Sequence, residues 1–106
     1  LGKEQLPMNL VRADEVLPTD FVLDVRGINE RAEVHIPGSI HIPLGELAGR
    51  VDQIPHHQRV VVYCASGGRS PISYSILRNA GIVDVHELLG GVEEARRSCP
   101  GLVASP

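Results

Sequence analysis

The chain has 106 residues, of which 42% are hydrophobic, and its ten basic and thirteen acidic side chains give a formal net charge of −3. This is enough for one globular domain with one core; the composition excludes a disordered chain, and the acidic balance argues against a general nucleic-acid binder. No apolar run approaches membrane-spanning length, no signal peptide is visible, and two cysteines, Cys64 and Cys99, make no disulfide framework, so a reducing, cytoplasmic setting with no membrane partner is expected.

Residues 1–8, with Pro7, read as a mobile lead-in. The first residue is Leu1 rather than Met, which suits a domain cut from a longer protein. Asn9–Val11 fits a short edge strand, and Ala13–Leu17 a short helix ended by Pro18-Thr19. Phe21-Val22-Leu23-Asp24-Val25 is a strong strand, apolar until Asp24. A connection from Arg26 to Val34 has room for a short helix over Asn29–Glu33, and His35-Ile36-Pro37-Gly38 is turn chemistry. Ser39–Ile42 reads as a strand; Leu44, Leu47, Val51 and Ile54 mark one helical face that Pro55 ends. Val60–Cys64 is a β-branched and aromatic run, the pattern of a strand buried on both faces of a parallel sheet. Val83–Leu88 is a fifth strand, Gly90-Gly91 a turn, and Val92–Arg97 a terminal helix. The domain is expected over residues 9–100, with 101–106 as a tail. Short apolar strands alternating with helices predict right-handed β-α-β units: a single α/β domain, its five-stranded parallel sheet flanked by helices on both faces.

The stretch after Val60–Tyr63 carries the chemistry. Cys64-Ala65-Ser66-Gly67-Gly68-Arg69-Ser70 leads into a helical pattern with apolar Ile72, Ile76, Leu77 and Ala80. Ser70 is the expected N-cap, Pro71 suits the first helical position and Gly81 the C-terminal stop. Gly67 and Gly68 permit the backbone angles that let successive N–H groups curl around one point, and the helix aims its positive end at the same place. An anion fits there: the thiolate of Cys64 or an oxyanion on a substrate. In open α/β sheets ligands bind outside the carboxyl ends of the strands. Asp24 and Cys64 both lie at such ends, so they can approach each other.

Other residues read more plainly. Asp24 suits a structural hydrogen-bond acceptor, and Cys99 sits in a Pro/Gly tail. His35, His41, His56, His57 and His86 show no zinc spacing, so neither a metal nor a cofactor is implied. Gly90-Gly91 lacks the strand–Gly-x-Gly–helix frame of a nucleotide site.

With these residues in view, the chain resembles the rhodanese-like sulfurtransferase domains. Four matches carry the resemblance over roughly Val11 to Pro100: Leu23-Asp24-Val25-Arg26; His35-Ile36-Pro37-Gly38-Ser39 followed by Ile42-Pro43-Leu44; the Cys64–Ser70 loop; and Leu89-Gly90-Gly91-Val92. It implies a five-stranded parallel sheet and a catalytic cysteine that takes sulfane sulfur from thiosulfate or a low-molecular-weight persulfide. That cysteine then passes the sulfur to a thiol or cyanide. Carried over, Cys64 is the nucleophile, and the amides from Ala65 to Gly68 stabilise the persulfide in the manner of an oxyanion hole. Arg69 is an anion contact or a clamp on the loop, and Asp24 and Arg26 hold that end of the sheet. Another domain or an acceptor protein fits as a partner beside the small molecules. The family's usual Gly stands here as Val34, an aromatic common near Arg31 is missing, a common Trp is Ala95, and a basic residue frequent in active members is Ala65. Positions 31, 34 and 95 read as packing positions, and Ala65 removes a charge that thiosulfate would use. Two other readings stand beside the enzyme: a rhodanese-like module that binds or regulates a partner within a larger protein, and a cysteine phosphatase. The chain resembles the cell-cycle dual-specificity phosphatases too, but their loop is one residue longer than the six residues from Cys64 to Arg69.

Overall fold

The structure, a computed structural model, describes residues 7–104. Residues 1–6 of the expected lead-in and 105–106 of the expected tail lie outside the described residues. Five strands, β1 (Leu10–Val11), β2 (Phe21–Asp24), β3 (Ile40–His41), β4 (Val60–Tyr63) and β5 (Val85–Leu88), form one sheet in the order β1-β5-β4-β2-β3. Every pairing is parallel. Four α-helices are described, α1 (Ile28–Glu33), α2 (Leu44–Leu47), α3 (Ser70–Asn79) and α4 (Gly91–Ser98), with short 3₁₀ segments after β1, α2 and α4. The strand order reverses at the pair β2–β4, which opens a crevice at their carboxyl ends.

Period-two alternation sorts the apolar strand residues to two faces. Leu23, Val25, Val60, Val62 and Cys64 meet Leu47, Ile54 and Leu77 from α2, the segment after it and α3. On the other face Val22, Val61 and Tyr63 meet Val92 and Ala95 of α4, with Ile36 and Leu102. All four residues of β4 are buried, as an apolar strand covered on both sides must be, and each large apolar side chain so buried stabilises the fold by about 1.5–3 kcal/mol.

Several expectations shift. The predicted helix over Ala13–Leu17 is a single 3₁₀ turn over Ala13–Glu15. Helix α3 starts one residue early: Arg69 is the N-cap and Ser70 is already helical. Its inward face is Ser70, Ser73 and Leu77, while Ile72 is 54% exposed. Two small serines let the helix lie close to the sheet, and the hydroxyl of Ser73 is satisfied by the Ser70 carbonyl at 2.7 Å. Residues 101–104 of the expected tail are built into the domain. Pro100–Leu102 form a 3₁₀ turn, Leu102 and Val103 pack on the second core, and Ala104 pairs antiparallel with His35.

Candidate active site

β4 delivers Cys64 to the crevice with its side chain 1% exposed. The next residues fold back so that their amides face the sulfur. The N–H of Gly67 donates to Sγ at 3.1 Å and that of Arg69 at 3.4 Å. Of the four amides expected from Ala65 to Gly68, only that of Gly67 reaches hydrogen-bond distance, and Arg69 supplies the second. Gly67 takes φ +105°, which favours glycine, whereas Gly68 does not use positive φ. The ten-residue helix α3 begins at the far end of the loop, so the sulfur lies at the positive end of its dipole.

The other wall of the loop is α4. The N–H groups of Val92 and Glu93 donate to the carbonyls of Cys64 and Ala65, both at 2.9 Å. Gly90 and Gly91 turn the chain through φ +70° and +64°. A Cβ on Gly91 would stand 2.5 Å from the Cys64 carbonyl oxygen, so the turn must be glycine where the backbones cross.

Arg69 closes the loop outward. Its guanidinium makes a bidentate pair with Glu30 of α1 at 2.6 and 2.7 Å. The Arg69 guanidinium holds the Glu30 carboxyl at about 2, well below its ordinary 4.5. Glu30 also accepts the Gly27 N–H at 2.9 Å. The bidentate pair ties the end of the loop to α1. Sequence reasoning missed Glu30. The available signal was its place three residues after Gly27, the capping-box position that ties a helix start.

Asp24 and Arg26 lie on the opposite face of the sheet from the sulfur, because Asp24 pairs in register with Tyr63, one residue before Cys64. Asp24 does not approach Cys64: the period of two turns them apart. Asp24 instead accepts from the Arg26 guanidinium through both oxygens at 2.9 Å, from Arg31 at 3.1 Å and from the Tyr63 hydroxyl at 3.1 Å. Burial pushes the Asp24 carboxyl up, but Arg26 and the Tyr63 hydroxyl outweigh it and leave it below the usual range. Arg26, 2% exposed, also donates to the Val34 carbonyl at 2.7 Å and lies over the Tyr63 ring. Arg31 is thus no packing residue; it bonds Asp24 and the Ser39 hydroxyl and carbonyl. Val34 and Ala95 are buried in the second core. Among the described residues no group of three or more His, Cys, Asp or Glu side chains is placed to hold a metal ion, and no helix is long and apolar enough to cross a membrane.

A loop of backbone donors around a cysteine at the end of a central parallel strand narrows the family. A family model described as Rhodanese-like domain matches residues 8–98. The chain belongs to the rhodanese-like domain family. This rhodanese-like domain is 32% identical over 92 residues to a sulfurtransferase of Allochromatium vinosum, covering 87% of this chain and 82% of that protein. It is 34% identical over 73 residues to a putative sulfur carrier protein of Bacillus subtilis. That match takes in 69% of this chain and only 40% of the carrier protein's length. A crystal structure of a rhodanese-related protein from Thermoplasma volcanium superposes with a TM-score of 0.79 at 26% identity, covering 89% of this chain and 95% of the other.

Proposed function

We propose that this rhodanese-like domain transfers sulfane sulfur through a persulfide on Cys64. The observation that carries the reading is the position of Sγ, at the focus of the Gly67 and Arg69 amides and the N-terminus of α3. The names of the relatives, sulfurtransferase and sulfur carrier protein, support sulfur transfer in general. In the first half-reaction the Cys64 thiolate attacks the outer sulfur of thiosulfate or of a low-molecular-weight persulfide. The donor's S–S bond breaks, and its electron pair leaves on sulfite or on the donor thiolate. In the second, cyanide or an acceptor thiolate attacks the outer sulfur of the Cys64 persulfide and releases the Cys64 thiolate. The charge gathered on sulfur in each step faces backbone N–H groups that need no reorganisation. Glu30 fixes Arg69, and the Asp24–Arg26–Tyr63 cluster fixes the end of the sheet from which the loop springs. The free thiols of Cys64 and Cys99 suit a reducing, cytoplasmic setting, and an acceptor protein or a further domain suits a loop that opens at the surface.

The test is intact mass after incubation with thiosulfate or glutathione persulfide. The expected result is a gain of one sulfur on Cys64 that cyanide or dithiothreitol removes. A protein that gains no sulfur from either donor refutes the reading.

A further inference from the structure

The sulfur chemistry leaves one buried carboxylate without a task. Glu87, on β5, is 6% exposed. Its partners are neutral: Asn9 Nδ2 donates to one oxygen at 2.7 Å and Ser70 Oγ to the other at 2.9 Å. Among the described residues no arginine or lysine is paired with it. A carboxylate taken out of water onto neutral donors is costlier than an apolar side chain of the same shape. Packing alone therefore does not account for it.

We propose that Glu87 is a positioning residue for the nucleophile loop, acting through Ser70. Ser70, 1% exposed, opens α3 and spends its one hydroxyl proton on Glu87; the Gly67 carbonyl, 3.5 Å away, is a neighbour of that oxygen rather than its partner. Ser70 follows Arg69 directly, and the Arg69 N–H donates to Sγ at 3.4 Å. The link from β5 to the sulfur is thus Glu87, Ser70, Arg69, Cys64, its middle step the backbone itself. The 2.9 Å bond to Glu87 commits the Ser70 hydroxyl to β5 and leaves backbone donors alone around the sulfur. Asn9 anchors the carboxylate from the residue just before β1, where the Glu87 N–H also meets the Asn9 carbonyl at 2.6 Å.

The test is a double-mutant cycle of Ser70→Ala and Glu87→Leu, with Glu87→Gln as the conservative exchange, all in a Cys99→Ser background. Two rates are read: alkylation of Cys64 by iodoacetamide, and single-turnover gain of sulfur from glutathione persulfide. The second rests on the sulfur-transfer reading; the first does not. If the unaltered protein gains no sulfur, that reading fails and the alkylation rates still decide the role of Glu87. Each single change should slow both rates by about fivefold, the worth of one typical hydrogen bond, with donor KM unchanged. The double variant should be no slower than the slower single one, because both cut the same chain. Glu87→Gln, whose amide oxygen still accepts from Ser70, should stay within about twofold by the same hydrogen-bond scale. Losses that multiply in the double variant overturn the proposal. So does a Ser70→Ala protein that reacts at the unaltered rate, and that variant decides alone if Glu87→Leu does not fold.

Discussion

Replacing Glu30 by Gln removes the charge that grips Arg69 and keeps the shape. The carboxyl is held at about 2 against an ordinary 4.5, which in a sealed site would correspond to about 3 kcal/mol. Both partners are 37% exposed, and solvent screening reduces this to about 1 kcal/mol. Because the folded protein holds Glu30 below its unfolded value, this stability is fully present above pH 4.5 and is lost as the pH falls toward 2. Urea unfolding at pH 7 should therefore show Glu30→Gln about 1 kcal/mol less stable, a midpoint about 0.5 M lower, and the deficit should narrow steadily below pH 4.5. A second effect reaches the chemistry. Once released, the Arg69 guanidinium can meet a dianionic donor, so the thiosulfate KM should fall while turnover falls with the loosened loop. An unchanged midpoint at pH 7, or a deficit as large at pH 3 as at pH 7, would show that the bridge does not act as described.

Cys64→Ser should abolish thiocyanate formation from thiosulfate and cyanide, and Cys99→Ser should leave it nearly unchanged; equal losses would point to a disulfide relay instead. Ala65→Arg should lower the thiosulfate KM more than the persulfide KM, and the gain should shrink with added salt. A gain that persists at high ionic strength would contradict a charge effect. Gly91→Ala places a methyl group 2.5–2.6 Å from the Cys64 and Ala65 carbonyl oxygens at φ +64°. Sulfur transfer should fall by at least about tenfold and the melting temperature with it, since strained positive φ costs on the order of 1 kcal/mol or more before the clash is counted. Retained activity would mean that the α4 tether is dispensable.

The strands and the loop were legible because each rests on a local pattern: β-branched runs between turn residues for β2 and β4, and a cysteine ahead of paired glycines at a helix start. What escaped depends on partners distant in sequence. Glu30 reads as ordinary surface charge on a short helix until its partner Arg69 is known. Arg31 stands where the family places an aromatic, and only its contacts with Asp24 and Ser39 explain a charged residue there. The apolar spacing in α3 marks Leu77 and Ile76, which pack on the core, but not Ser70 and Ser73, which close contact with the sheet buries as well. Asp24 and Cys64 both end neighbouring strands; the register Asp24–Tyr63 sends them to opposite faces.

The hold of α4 on the loop bears on how the protein comes into being. Val92 and Glu93 supply the donors that fix the Cys64 and Ala65 carbonyls, yet the whole of α3 and of β5 separates them from the cysteine. A chain emerging from the ribosome exposes the thiol first and receives its last restraint only when the final helix is made. Until α4 docks, the Cys64 and Ala65 carbonyls lack these donors, and the loop is complete only when the helix that follows β5 is in place.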